Sequence, residues 1–265
     1  MPKKTGPFGG YNGIEMAETP KPVDELSELR AYKAIITKAL SHDVRNPLGT
    51  VLSTVESLYE TMGAGTTAQA LAGIALSGAR GALRIVTTLV FWSKLRAGTY
   101  PFEVGVIEPT GLMRATLETM KPLAEANGLT LVAAVAPGTP AFLADAPMLQ
   151  CVVENLVVYS MKFAPRGGRV DLTIRRPGDD ASVEIRVADH GPAISAQARA
   201  TLFDIEAAAE LPVSGVRGPF GPGLAFAAVA AQALGGSLAL ESPLETGADG
   251  ADSGAAFTLK IPLPR

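Results

Sequence analysis

The octet Ser41-His42-Asp43-Val44-Arg45-Asn46-Pro47-Leu48 contains the residues of this sequence best suited to nucleophilic chemistry. An imidazole on an exposed helix face can act as a nucleophile near neutral pH. Asp43 could accept the imidazole proton while the other ring nitrogen attacks. Asn46 lies four residues after His42, on the same helix face, where its amide could position a water molecule or a phosphoryl oxygen. The alternative interpretation is a plain surface histidine on a bundle helix, with Pro47 as a simple kink.

The octet is expected to lie on the first of two long helices that form a hairpin. Apolar residues follow it at spacings of three and four, which is the pattern of a heptad-like seam on a helix, and Pro47 predicts a bend within it. The stretch 62–67 breaks this helix, and a second helical pattern ends at Ala97-Gly98, a glycine helix end. One hairpin leaves its seam half covered, so we expect a homodimer with a four-helix bundle. The seam residues are Leu48, Val51, Val55, Leu58 and Met62 in the first helix, with Leu71, Ile74, Ile85 and Leu95 among those of the second.

After Gly98 the pattern is that of an α/β sandwich. Helices and strands alternate, with turns rich in glycine, proline and aspartate. The stretch 245–254 is predicted to be a surface loop. The predicted helices are 109–126, 147–163 and 223–234, and the predicted strands are 102–106, 129–135, 169–175, 182–188, 237–241 and 256–261.

Composition excludes several classes of protein. The 265 residues carry 26 acids against 23 bases, a net charge of −3, which argues against a nucleic-acid partner. One cysteine and two histidines leave few ligands for a zinc site. No leader precedes the helices and no apolar stretch reaches the roughly 20 residues of a membrane span. We therefore expect a soluble, cytoplasmic protein without a membrane span.

The octet resembles the H-box of bacterial two-component sensor histidine kinases, His-Glu/Asp-x-x-Thr/Asn-Pro-Leu. The resemblance covers residues 24–265 in the family's order. It implies that His42 is phosphorylated from ATP, that Asp43 is the general base and that Asn46 helps to hydrolyse the phosphoaspartate of a response regulator. Arg45 also matches. The implied domains are a disordered lead-in at 1–21, a dimerisation and phosphotransfer hairpin at 22–98 and a Bergerat-type ATP-binding domain at 99–265.

The stretch 150–165 resembles the family's N-box, Asn-Leu-Leu-x-Asn-Ala-x-Lys-Phe-Thr-Pro. Lys162 matches the lysine, and Asn155 matches the first asparagine. The second asparagine, which holds Mg²⁺ in the family, is replaced by Tyr159. Mg²⁺ prefers hard oxygen ligands, and a phenol is a poor and bulky substitute for an amide. Asn155 then remains as the candidate metal ligand.

Two glycine motifs complete the resemblance. Asp189-His190-Gly191-Pro192-Ala193 resembles the G1 box, in which the aspartate accepts a hydrogen bond from the adenine amino group. Asp189 and Gly191 match, whereas Ala193 replaces the second glycine.

The stretch 218–225 resembles the G2 box, whose glycine-rich turn and following helix donate backbone N–H groups to phosphates. Gly221, Gly223 and Leu224 match. Pro219 and Pro222 depart from the motif, and Pro222 also removes one N–H donor.

Three functions remain open at this point. The first is a kinase that binds ATP and Mg²⁺, phosphorylates His42 and passes the phosphoryl group to an aspartate of a receiver domain. The second is a histidine phosphotransferase with a degenerate ATP site, relaying phosphoryl groups between receiver domains. The third is a dimeric scaffold that regulates a true kinase, for which replacement of His42 would have no effect.

Overall fold

A computed structural model describes residues 35–178, 181–204, 222–246 and 252–264. The first elements form a helical hairpin of α1 (Arg45–Thr61) and α2 (Thr67–Arg96), preceded by a π-helical turn (Ala39–Val44). The Thr66 side chain caps α2 by accepting a hydrogen bond from the Gln69 N–H at 3.1 Å. Gly98, at φ +65°, follows the last turn, and its N–H donates to the Leu95 carbonyl at 3.0 Å, which confirms the predicted glycine end of this helix.

An ion pair joins the two helices of the hairpin. Arg80 of α2 donates to Glu56 of α1 at 2.8 Å. No residue of α1 is fully buried, and Val51 and Ile74 are 49% and 68% exposed. The hairpin therefore has more apolar surface than its own two helices cover, as the spacing of the seam predicts.

The remainder is an α/β sandwich. The main sheet has the strand order β2-β4-β5-β8-β6, with β7 beside β8; β2 and β4 are parallel and the other pairs antiparallel. β1 and β3 form a separate antiparallel pair. The strands are β1 (Val104–Ile107), β2 (Thr130–Val135), β3 (Phe142–Asp145), β4 (Arg169–Arg175), β5 (Ser182–Pro192), β6 (Ser237–Glu241), β7 (Glu245–Thr246) and β8 (Asp252–Pro262), and the helices are α3 (Pro109–Ala126), α4 (Ala146–Phe163), α5 (Ala196–Thr201) and α6 (Gly223–Ala233).

Helix α4 is the centre of the helical layer, and its start is fixed by Asp145. The Asp145 carboxylate accepts hydrogen bonds from the Met148 N–H at 3.0 Å, the Tyr100 hydroxyl at 2.9 Å and the Glu103 N–H at 2.8 Å. These contacts cap α4 and tie it to the end of the hairpin. Small residues on α6, among them Ala227 and Ala230, are fully buried and allow that helix to pack closely beside α4.

The structure differs from the sequence-based predictions at β5, at the stretch 245–254 and at two short elements, and the predicted strand 102–106 is observed as β1 (Val104–Ile107). β5 runs to Pro192 rather than ending at residue 188, because it is paired with β8 as far as Pro192 and with β4 as far as Asp189. The predicted loop 245–254 instead contains β7 and the start of β8. Strand β3 and helix α5 were not predicted, since runs of four and six residues carry too little periodicity.

Helix α2 is long and apolar enough, by length and composition alone, to cross a membrane. This length differs from the sequence-based expectation that no apolar stretch reaches the roughly 20 residues of a membrane span. In the fold α2 packs against α1 and, through its last turns, against α4 and α6. Six residues of α2 are buried in this fold, among them Val86, Thr88 and Val90.

Candidate functional site

The octet around His42 is displayed on the surface of the hairpin. His42, Asp43, Arg45 and Asn46 are all exposed. Exposure leaves the imidazole accessible to a phosphoryl donor and to a partner protein. Asn46 follows His42 along the same helix, as the spacing predicts.

The helix around His42 is π-helical rather than α-helical, and Pro47 supplies the physical reason. A proline has no N–H, and its ring excludes the carbonyl of the residue four positions earlier, here Asp43. The backbone relieves this by widening over Ala39–Val44. Such π turns are frequent at functional sites. The irregularity expected at Pro47 therefore lies in the turn that carries His42.

Asp189 is the most unusual polar residue of the α/β domain. It is 0% exposed, and its Oδ1 accepts a hydrogen bond from the Gly191 N–H at 3.0 Å. Within the described residues its Oδ2 is buried without a partner at hydrogen-bond geometry, as is the nearby hydroxyl of Ser160 on α4. Burial raises the pKa of Asp189 to about 6, and the Gly191 N–H and the Ser160 hydroxyl offset only part of this effect. A buried oxygen without a well-placed donor is an acceptor ready for a ligand.

Glycine is required at position 191 because a side chain would collide with a neighbouring backbone, and not because of its backbone conformation. A Cβ at this position would lie 2.2 Å from the carbonyl oxygen of Phe163, at the end of α4. The turn after Asp189 therefore touches the last turn of α4. Every described residue other than glycine has negative φ, so Ala193 fits its backbone without strain.

Asn155 lies where α2, α4 and α6 meet. It is 9% exposed, and its Nδ2 donates to the Thr88 hydroxyl of α2 at 3.1 Å and to the Cys151 carbonyl at 2.8 Å. Its Oδ1 faces Gly223 at the start of α6, where an added Cβ would lie 2.6 Å from that oxygen. The amide thus has its donor side towards the hairpin and its acceptor side towards the helix that follows the glycine-rich loop.

Tyr159, one turn further along α4, is part of an aromatic cluster. It is 4% exposed, with ring centroids 4.6 Å from Phe163 and 5.1 Å from Phe257 of β8. Burial, reinforced by the charge of Asp189, raises the pKa of the Tyr159 phenol well above its usual range. The phenol therefore stays neutral and supplies no anionic oxygen.

Two cations lie near this end of α4. Burial lowers the pKa of Lys162, and the charge of Arg84 on α2 adds to the effect. Burial likewise lowers the pKa of Arg84, against the opposing charge of Glu154. The effect of Arg84 on Lys162 indicates positive charge between the hairpin and α4, which suits phosphate groups.

The second glycine motif is described only in part. Gly221 and Pro219 lie outside the described residues. Gly223 is the first residue of α6, Leu224 is buried, and Pro222 precedes them at φ −74°. The Pro222 carbonyl accepts the Phe226 N–H at 2.8 Å, so α6 begins normally despite the missing donor.

Comparison with known proteins identifies this arrangement. Residues 144–265 match the family of histidine kinase-, DNA gyrase B- and HSP90-like ATPases. The chain is 29% identical over 242 residues to the sensor protein TorS of Escherichia coli (strain K12), covering 90% of this chain and 25% of TorS. It is 27% identical over 241 residues to the histidine protein kinase DivJ of Caulobacter vibrioides, covering 89% of this chain and 38% of DivJ.

Among solved structures, full-length ShkA in complex with AMPPNP aligns with a TM-score of 0.58 at 26% identity, over 85% of this chain and 45% of ShkA. The chain carries a histidine kinase-, DNA gyrase B- and HSP90-like ATPase domain at residues 144–265, and these matches support a relationship to two-component sensor histidine kinases. It spans a quarter of TorS and less than half of DivJ and ShkA.

The family's motifs form two groups in this structure. The N-box and the two glycine motifs converge, since Gly191 touches the end of α4 and Gly223 touches Asn155. The H-box is on the hairpin, and no hydrogen bond or ion pair within the described ranges joins it to the group around Asp189.

Sequence reasoning missed three residues of this site. Thr88 contacts Asn155. Ser160 lies buried beside Asp189, and Phe257 packs on Tyr159. Ser160 is adjacent to Tyr159 in the N-box, so its position was available from the motif. Thr88 and Phe257 are brought in only by tertiary packing, and no local pattern marks them.

Proposed function

We propose that this chain is a protein-histidine kinase that uses ATP to phosphorylate His42 and passes the phosphoryl group to an aspartate of a response regulator's receiver domain. A ring nitrogen of His42 attacks the γ-phosphorus, the bond to the leaving ADP breaks, and the Asp43 carboxylate accepts the proton of the other ring nitrogen. Asn46, on the same exposed face, would position water for hydrolysis of the regulator's phosphoaspartate.

The unpartnered Oδ2 of Asp189 is the observation that carries this proposal. A buried carboxylate oxygen without a donor costs stability, and an adenine amino group would supply the missing hydrogen bond. The exposed His42 and the cations Lys162 and Arg84 supply the acceptor and the phosphate environment. AMPPNP in the ShkA structure supports the same class of ligand.

The residues present also fit a nucleotide-bound Mg²⁺. This ion usually keeps several waters and takes one or two protein oxygens together with the phosphates. Asn155 would hold it through Oδ1, and the ion would neutralise phosphate charge. No cluster of three or more His, Cys, Asp or Glu that could hold a metal by itself occurs in the described part of the chain.

Incubation of the full chain with Mg²⁺ and ATP labelled at the γ-phosphate tests the proposal. We expect acid-labile label on the protein, lost in His42→Ala and retained in His190→Ala, which removes the other histidine of the sequence. Label that persists in His42→Ala would refute His42 as the acceptor, and absence of label in the parent chain would refute the kinase.

A histidine phosphotransferase is the second candidate, favoured by the burial of Tyr159 at the position of the family's metal ligand. In this case a receiver domain phosphorylated on aspartate would load His42 without ATP. Transfer of label from such a receiver to the parent chain, combined with absence of ATP binding, would establish this function in place of the kinase.

The hairpin supports a homodimer as the working form. Apolar side chains repeat along one exposed side of α1 and of the π-helical turn before it, where Val44 of the turn and Val51 and Leu58 of α1 are 37%, 49% and 47% exposed. On α2, Leu71 and Ile74 are also more than half exposed. A second hairpin packed on these residues would bury them in a four-helix bundle.

A further inference from the structure

The contact between the hairpin and α4 centres on a buried polar group. Thr88 is 1% exposed, and its hydroxyl lies 3.1 Å from Asn155 Nδ2 and 3.6 Å from Cys151 Sγ. The same Nδ2 donates to the Cys151 carbonyl at 2.8 Å. A primary amide has two N–H donors, and here both are engaged. This arrangement fixes which end of the Asn155 side chain faces the hairpin.

The opposite end of the amide is thereby directed at the nucleotide side. Asn155 Oδ1 lies against Gly223, the first residue of α6, and accepts no hydrogen bond from a described residue. It is a neutral hard oxygen of the type that Mg²⁺ takes as a ligand. Tyr159, the other N-box position, is committed to the rings of Phe163 and Phe257. Asn155 is thus the one N-box side chain whose amide oxygen faces the start of α6.

We propose that Thr88 is a positioning residue of the metal site, holding the Asn155 amide so that its oxygen faces a nucleotide-bound Mg²⁺. The inference rests on the proposed kinase function and deepens it.

Thr88 belongs to the hairpin and Asn155 to the α/β domain, so the amide is held only while α2 is packed on α4. When α2 moves away, the amide loses one of its two acceptors and is free to turn. Affinity for the metal therefore depends on the docking of the hairpin.

Removing the Thr88 hydroxyl is expected to have a specific effect on metal binding. In Thr88→Val the shape of the side chain is nearly unchanged, but one N–H of Asn155 is left without an acceptor. Loss of a buried hydrogen bond to a neutral group corresponds to about a tenfold change in an equilibrium. We expect the gain in ATP affinity on adding Mg²⁺ to shrink by about tenfold, while ATP affinity in the presence of a chelator stays the same.

Calorimetry of ATP binding to the full chain, with Mg²⁺ and with chelator, provides the test. Thr88→Ser restores the hydroxyl and is expected to restore the Mg²⁺ effect. Thr87→Val is the matched control, because this neighbouring threonine is half-buried and outside the Asn155 contact. Side-chain amide NMR, with the Asn155 signal assigned by its absence in Asn155→Asp, is expected to show a shifted signal in Thr88→Val without any nucleotide.

The outcomes separate this inference from the proposed function. Suppose that the parent chain binds ATP. The positioning role alone would then be overturned if Thr88→Val left the gain in ATP affinity on adding Mg²⁺ unchanged. It would also be overturned if Thr88→Val lowered ATP affinity equally with and without Mg²⁺. An unmoved Asn155 signal in Thr88→Val would also overturn it. A parent chain that binds no ATP under either condition would refute the kinase, and the metal-positioning role with it.

Discussion

Replacing Asp189 by asparagine should stabilise the protein at neutral pH. The carboxyl pKa is raised to about 6 from an ordinary 3.8, chiefly because burial disfavours the charged form. An acid whose pKa rises on folding binds more protons in the folded state between these two values. Its ionisation therefore costs stability above them, and this cost is absent below the lower value. The asparagine side chain of the variant would keep an acceptor for the Gly191 N–H and carry no charge.

The magnitude follows from the two pKa values. At pH 7.5 the ionised Asp189 costs about 3 kcal/mol, and at pH 4.5 the cost falls to about 1 kcal/mol. We expect Asp189→Asn to raise the free energy of unfolding by about these amounts in urea titrations at the two pH values. The charge of the neighbouring His190 also offsets part of the effect of burial on the Asp189 pKa. The stabilising effect should grow as pH rises through 6.

Asp43→Asn is the matched control, because Asp43 is an exposed carboxylate on the hairpin. It should change stability by less than about 0.5 kcal/mol at either pH. The reasoning would be refuted by an Asp189→Asn variant that is less stable than the parent at pH 7.5. An effect of the same size at both pH values would also refute it.

Four further substitutions provide three additional tests. Tyr159→Asn should lower the free energy of unfolding by about 3 kcal/mol, because aromatic packing is lost. It should also increase the gain in ATP affinity on adding Mg²⁺, measured by calorimetry, because it adds an amide oxygen. Gly191→Ala should lower stability by about 3 kcal/mol or prevent folding, measured in urea, because its Cβ would lie 2.2 Å from the Phe163 carbonyl oxygen. Val51→Glu or Ile74→Glu should convert a dimer to a 27.4 kDa monomer in sedimentation experiments, because each places a charge in the proposed bundle seam.

Each of these has its own control and contrary result. Gly105→Ala, where a Cβ would meet no atom within 4 Å, should leave stability nearly unchanged, and equal effects at both glycines would contradict the steric argument. Thr54→Glu, on an exposed polar position of α1, should leave the dimer intact. A parent chain that sediments as a monomer would contradict the four-helix bundle. If Tyr159→Asn did not increase the gain in ATP affinity on adding Mg²⁺, the assignment of position 159 to the metal site would be contradicted.

The sequence predicted those parts of the fold that depend on local pattern. The hairpin, helix 109–126 and strands 169–175 and 237–241 follow from periodicity and turn residues, and the structure has these two strands and this helix with the same bounds. β5 extends further than predicted because its length is set by pairing with β8, which is distant in sequence. Short elements such as β3 depend on their partners in the same way.

The candidate site divides along the same line. Asp189 and Gly191 were predicted as nucleotide-binding residues by motif, but the orphaned oxygen of Asp189 and the contact of Gly191 with Phe163 are products of packing. The role of Thr88 was invisible in the sequence, because it arises where the hairpin meets α4. Asn155 is predicted as a metal ligand, and the structure adds that its amide oxygen faces Gly223 at the start of α6.

Binding of AMPPNP with Mg²⁺ to the full chain, measured by calorimetry, tests the central claim most directly. The account predicts saturable binding by the parent chain, unchanged binding by His42→Ala, and binding at least about tenfold weaker in Asp189→Asn, where the acceptor for the adenine amino group is replaced by an amide. Absence of binding by the parent chain, or equal binding by Asp189→Asn, would contradict it.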